Sequence, residues 1–535
     1  MRRFHHASSC FSILCALTIS GCLADDLPGE PIAETGGAGD ETGGEEQLIN
    51  WVPSRGISII EIEANQGTRV PVVGEDGAWI GATDRSMRLI SDRDTLIRVH
   101  WVVDPAWVPH DVKARLTVEF DNADPIVREQ IITVEGDSTR TALDRTFYFG
   151  LVAEHGETAG GARIQVELFE ADVDQNSALP EAVNIAPASE PKLIGFETTP
   201  MELKVMMVPI HYTGGGKDRL ANLDEANVQV LLDALYESNP VQVIEHQVHS
   251  EVPYAQQMNS LGSLLPIMSM LKQSDGADPN VYYHAFIDIG CPVVGCGNAG
   301  VAGIAQLTGD GKNASLSRVG ATVLYTNASG SIDSSADTFV HEVGHNQGFS
   351  HVACPGANAA GPDPLYPYPN GKIGEWGFGI RSFSLHNPTA SHDYMTYCGN
   401  TWTSDWTFDK AYHRISTLTS WDYEGAPAGE PDPMIMGEEV LVGALYPDGT
   451  EEWFTLDGGI NLEQIMPGES IEFEVRGEVI DRPVEVRTMS DGETQWVVAP
   501  MPKDTRMEAV DRVRHVRGGE VRRELPASEV RVSRY

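Results

Sequence analysis

The run His341-Glu342-Val343-Gly344-His345-Asn346-Gln347-Gly348-Phe349-Ser350-His351 constrains this chain more than any other segment. Just before it, Ser334-Ser335-Ala336-Asp337 reads as a helix start and Thr338-Phe339-Val340 as a buried face. Side chains four apart on a helix lie one turn above the other, so His341 and His345 present two imidazoles to one point. Gly348 can take the left-handed conformation that ends a helix. The chain can then turn back and bring His351 alongside the first two.

Three convergent imidazoles suit the borderline-soft Zn²⁺ ion, and a fourth position left open for water is the pattern of a catalytic site. Glu342, adjacent to the first ligand, does not itself reach the metal but can take a proton from a water there. Glu375 is the nearest carboxylate that could serve as a third ligand instead. It lies in Gly371-Lys372-Ile373-Gly374-Glu375-Trp376-Gly377, which should not be helical, so His351 is preferred. His284, His386, His392 and His413 are expected to be structural.

The chain has 535 residues and a formal net charge of −41, enough length for about three domains. So acidic a surface repels nucleic acid and anionic lipid head groups and argues against either as a partner. The composition fits extra calcium sites, yet no loop spells one out. The amino terminus reads as an export signal. Arg2 and Arg3 precede an apolar stretch from Phe11 to Gly21, too short to span a bilayer, and Ile19-Ser20-Gly21-Cys22 closes it. The small residues before Cys22 look like a bacterial lipobox, so Cys22 is expected to carry lipid and to form the membrane anchor. The Gly-, Glu- and Asp-rich stretch over 23–48 has almost nothing to bury and reads as a tether.

Four cysteines remain for the exported chain: Cys291, Cys296, Cys354 and Cys398. They allow three pairings. Cys291 with Cys296 and Cys354 with Cys398 are favoured, the second joining the two segments that carry the candidate site. The absence of cysteine between positions 23 and 290 excludes an inhibitory segment acting through a thiolate.

Residues 49–192 alternate in short strands, for example Ile57-Ser58-Ile59-Ile60-Glu61-Ile62-Glu63, and suggest a β-sandwich. Residues 430–535 again read as β. Over 195–425 strands alternate with helices. Leu203 to Ile210 is a buried strand, Val228, Leu231, Leu232 and Leu235 recur at helical spacing, and Val301 to Leu307 and Val319 to Tyr325 are further strands.

The histidine run resembles the metzincin signature, which a Met-turn follows; Asp393-Tyr394-Met395-Thr396-Tyr397-Cys398 is the candidate turn. The resemblance extends through Tyr366-Pro367-Tyr368-Pro369-Asn370-Gly371 and Trp402 to Phe408. It is nearest to large secreted bacterial metzincins distantly related to enteric mucin-cleaving proteases, and it covers about 330 to 425. It implies an α/β domain with a zinc cleft; with the β-sandwich-like flanks read from the strand pattern, the expected protein is α+β and multidomain. The resemblance further implies peptide hydrolysis of extracellular proteins or glycoproteins, with Met395 as a hydrophobic floor and Tyr397 as an oxyanion donor. The strand from Val301 to Leu307 would lie at the sheet edge and pair with substrate. The protein is expected to act as a monomer. The competing expectation is a catalytically silent surface-binding lipoprotein that retains the fold.

Overall fold

The computed structural model describes residues 52–171, 179–290, 301–423 and 434–532. Cys22, the stretch over 23–48, and the Cys291 and Cys296 pair lie outside the described residues. The protein is a mixed α+β chain, with a metallopeptidase-like α/β region in the middle and β-rich regions on either side.

In the amino-terminal region, Arg69–Val73, Ile57–Asn65, Thr95–Val103 and Phe147–Leu151 form one antiparallel sheet in that order. A second sheet runs Lys192–Leu193, Arg163–Glu170, His110–Glu119 and Ile126–Val134. Alternate residues of both, among them Ile97, Val99, Trp101, Leu116, Val118, Ile164 and Val166, meet in one apolar core. A bulge between Ile59 and Glu61 shifts the register of the first strand. It leaves Glu61 and Glu63 buried, where Arg69 pairs with both.

The central sheet contains β1 (Glu202–Tyr212), β2 (Val281–Ile287), β3 (Gly303–Ala305) and β4 (Val319–Val323). The order is β1-β2-β4-β3. Strands β1, β2 and β4 are parallel, and β3 runs antiparallel to β4 at the edge. Both faces are covered, which explains the near-continuous apolar runs. Leu203, Val205 and Met207 of β1 face α1 (Glu225–Ser238), α3 (Asp333–Asn346) and α4 (Asp405–Ser420). Val208, Ile210 and Tyr212 face the other way, toward α2 (Leu264–Ser274). Helix α1 starts at Asp224, whose side chain accepts from the Asn227 amide. Helix α4 starts at Ser404, which accepts from the Thr407 amide.

The carboxy-terminal region departs from the expected sandwich. It is a single seven-stranded antiparallel sheet made of β5 (Met434–Leu445), β6 (Glu451–Asn461), β7 (Ile465–Val475), β8 (Glu478–Thr488), β9 (Gln495–Pro500), β10 (Arg512–Arg517) and β11 (Glu520–Pro526). The reason is that the sheet curls so that strands from both of its edges, through Leu441, Trp453, Phe473, Val513 and Leu525, share one core, while part of its other face packs on the metallopeptidase-like region. Val440, Val442 and Ala444 of β5 pack with Phe454, Trp496 and Val498 into the same core as Leu264, Leu265 and Ile304. Leu441 and Val497 point to a separate core on the opposite face. No helix among the described residues is long and apolar enough to cross a membrane.

Candidate metal centre

Helix α3 brings the first two histidines together as the spacing predicts. Ala336, Phe339, Val340 and Val343 form its buried stripe. Its start differs from the expected capping: the helix begins at Asp333 without a side-chain cap. Ser335 Oγ instead donates to the Val323 carbonyl of β4, at 3.0 Å, which ties the helix to the sheet.

Gly348 ends the helix with φ +86°. Its amide donates to the His345 carbonyl at 2.8 Å, and the Phe349 amide donates to the Gly344 carbonyl at 3.0 Å. That pair of reversed bonds is a Schellman motif. It turns the chain back so that His351 faces the helix. A side chain at 348 would meet Arg414 and the Thr308 carbonyl, so space as well as conformation requires glycine there. The Val352 amide then donates to the Met395 carbonyl at 2.9 Å, joining the returning strand to the following turn.

The three imidazoles are buried and ordered alike. His341, His345 and His351 hold their Nδ1 atoms 2.7 Å from the carbonyl oxygens of Tyr394, Phe349 and Ala360 respectively. A carbonyl only accepts, so each Nδ1 carries the proton and each Nε2 presents a lone pair. These lone pairs converge: His345 Nε2 lies 3.0 Å from His341 Nε2 and 3.2 Å from His351 Nε2. Burial pushes His341 down to about 4 and lowers the pKa of the other two as well, so the rings are neutral near pH 7. Three neutral nitrogens facing one another in a dry site repel unless a cation sits among them. The donor set fits zinc, with a backbone carbonyl fixing the tautomer of every ligand.

Glu342 is buried beside the cluster, and burial pushes its carboxyl up to about 8. Strand β3 crosses directly above it. A Cβ on Gly303 would fall 2.6 Å from both Cγ and Oε1 of Glu342. Gly344 has the matching role below, since a Cβ there would lie 2.4 Å from Met395 Sδ. Met395 is thus packed under the histidine helix and is 1% exposed. Tyr397 is partly exposed, with its ring 4.6 Å from that of His351 and 5.6 Å from that of His341. The Cys354–Cys398 disulfide joins the segments after His351 and after Met395.

Glu375 lies outside the cluster and pairs with Arg69 at 2.8 Å, contributing to the docking of the amino-terminal region. The other histidines also stand apart. His284 is buried against Phe339 and bonded to Thr322, His386 stacks on Trp402, His392 bonds to the Gly399 carbonyl, and His413 lies on the outer side of α4 near Asp409.

Two features of the site escaped sequence reasoning. Asp393, fully buried, holds the Met-turn: Oδ1 accepts from the Met395 amide at 2.8 Å, and Oδ2 from the hydroxyls of Ser404 and Thr407. The turn is thereby fastened to the start of α4. Its signal was an Asp two residues before Met395 and a Ser/Thr pair at a helix start. The second feature comes from the β8–β9 connection. Ser490 Oγ donates to Glu342 Oε2 at 3.2 Å and accepts from the Ala305 amide at 2.9 Å. The β3 edge, expected to be open to substrate, is therefore occupied.

Residues 253–352 match the family described as metallo-peptidase family M12B, reprolysin-like. The match ends one residue after His351. No curated protein matches the chain. A reprolysin-like metallopeptidase domain with an intact buried histidine triad makes this protein a zinc metalloendopeptidase.

Proposed function

We propose that the protein is an exported, lipid-anchored endopeptidase that cuts extracellular proteins or glycoproteins, with Glu342 as its general base. The observation that carries this reading is the convergence of three Nε2 lone pairs beside a buried carboxylate. Zinc held by His341, His345 and His351 supplies Lewis-acid polarisation and lowers the pKa of water. A zinc charge beside it would bring the Glu342 carboxyl down from the value that burial alone gives it; as the carboxylate it takes the proton of the attacking water and delivers it to the leaving amine, so no covalent enzyme intermediate is needed. The Tyr397 phenol, beside His341 and His351, donates a hydrogen bond to the carbonyl oxygen as negative charge develops on it. Met395 and Gly344 set the floor of the site, and the Asp393 clamp holds that floor in place.

Export and anchoring rest on the Arg2-Arg3 start, the apolar stretch and Cys22. Palmitate labelling of the expressed chain, lost in Cys22→Ser, is the expected outcome; retained labelling would refute the anchor. For the reaction, casein and mucin are incubated with the soluble chain and with Glu342→Ala in zinc buffer. The parent should cleave, while the variant should hold one zinc and be at least a hundredfold slower. Equal rates would remove Glu342 from the role of base, and a folded sample without zinc would refute the metallopeptidase reading.

A further inference from the structure

The β8–β9 connection is a hairpin turn that reaches into the catalytic region. Thr488 pairs with Gln495, which leaves Met489 to Thr494 as a six-residue loop. The loop is closed by its own bonds. The Met489 amide donates to the Thr494 carbonyl, and the Gly492 amide to the Met489 carbonyl. Asp491 accepts from the amides of Glu493 and Thr494 and from the Thr494 hydroxyl. It is therefore a preformed projection and does not depend on the cleft for its shape.

Its tip lies across the reacting groups. The Ser490 amide donates to the Ala305 carbonyl at 3.0 Å, and the Ala305 amide is taken by Ser490 Oγ. Met489 bridges Gln306 in the antiparallel sense. The outer edge of β3 is thus paired as an extended peptide would pair it. Ser490 Oγ also holds Glu342 Oε2, and the Ser490 carbonyl receives the Tyr397 hydroxyl at 3.5 Å, the outer limit of a hydrogen bond. Gly492 comes up against Ala360, whose carbonyl orients His351: a Cβ on Gly492 would be 2.4 Å from the Ala360 Cβ. The loop reaches from the β3 edge, over Glu342 and Tyr397, to the loop behind His351. Ser490 is 3% exposed, so solvent does not separate it from the site.

We infer that the Ser490–Gly492 tip is an internal, substrate-like occupant of the cleft, so that this arrangement is a latent form and an extended peptide chain must displace the tip to reach Glu342. This rests on the peptidase reading above. The inhibitory element comes from the carboxy-terminal sheet and not from the amino-terminal region, which docks through the Arg69 to Glu375 contact among others. Displacement is local. Met489 stays anchored in the shared core, while the tip beyond it breaks its bonds to Ala305, Glu342 and Tyr397.

The test replaces Ser490–Glu493 by Asn-Gly, which closes β8 and β9 with a two-residue turn and keeps Met489 and Thr494. Ser490→Gly serves as a second variant of unchanged loop length. In a Glu342→Ala background, binding of fluorescein-labelled β-casein is followed by anisotropy and zinc is counted in the same samples. With Glu342 present, casein hydrolysis is measured. Latency predicts at least tenfold tighter binding and at least tenfold faster hydrolysis for the shortened loop, and about threefold for Ser490→Gly. Zinc-loaded samples in which neither variant gains binding or rate would overturn the inference and leave the peptidase reading standing. Folded samples that hold no zinc would overturn both.

Discussion

Replacing Asp393 tests whether the Met-turn is held by one carboxylate. Asp393→Ala removes the acceptor for the Met395 amide at 2.8 Å, for the Thr407 hydroxyl at 2.6 Å and for the Ser404 hydroxyl. All are closed off from bulk solvent, since Asp393 and Ser404 are 0% exposed and Thr407 is 3% exposed. The two hydroxyls can rotate toward each other, 3.1 Å apart, and recover part of the loss. The Met395 amide and the Ser404 amide, which donates to Asp393 Oδ2 at 3.3 Å, cannot. Two stranded amide donors, at about 1–3 kcal/mol each, put the expected loss at about 2–6 kcal/mol. Asp393→Asn keeps one carbonyl oxygen for the Met395 amide and offers an NH₂ that the hydroxyls can accept, leaving only the Ser404 amide without an acceptor, so about 1–2 kcal/mol is expected. Because the Tyr394 carbonyl orients His341, zinc affinity should fall about 10–100-fold in the alanine variant. Urea unfolding with EDTA gives the intrinsic term, and competition with a fluorescent chelator gives zinc affinity. If Asp393→Ala loses less than about 1 kcal/mol, or Asn costs as much as Ala, the clamp as argued is wrong.

Three further outcomes follow from named contacts. The Cys354–Cys398 bond spans 44 residues, and loop-closure entropy assigns such a crosslink about 4 kcal/mol, so the Cys354→Ser/Cys398→Ser protein should lose most of that in chemical denaturation. An unchanged midpoint would show that the bond does not restrict the unfolded chain. Gly303→Ala should drive Glu342 from its position under β3 and slow casein hydrolysis about 10–100-fold with one zinc still bound; an unaffected rate would refute the close approach. Burial holds His284 down to about 3, against about 6.5 when unfolded. The unfolded chain therefore takes up this proton first as pH falls below 6.5, and stability is lost progressively until about pH 3. The loss at pH 5 is about 2 kcal/mol. In zinc-free samples, His284→Phe should lose that much less between pH 7 and 5, and an identical pH slope would refute the assignment.

The histidine helix was legible because its information is local. His341 and His345 are one helical turn apart, Gly348 and His351 follow within six residues, and the helix period fixes where such neighbours point. The same holds for α1, whose apolar residues Val228, Leu231, Leu232 and Leu235 recur at helical spacing. The strand from Val301 to Leu307 was recognisable as β, but its partner was not. Ser490 and Glu342 are 148 residues apart, and nothing in the serine or the turn around it marks where the turn will dock. The carboxy-terminal strands alternate as sandwich strands do, because several of them bury one face, as β7 and β10 do; that the other face of β5 rests on α2 and β3 follows only from the assembled core. Gly303 and Gly344 likewise look like ordinary glycines until Glu342 and Met395 are packed against them. Local backbone periodicity thus set the metal ligands, while side-chain contacts between distant segments decided what covers them, because such contacts depend on docked surfaces that no short stretch of sequence contains.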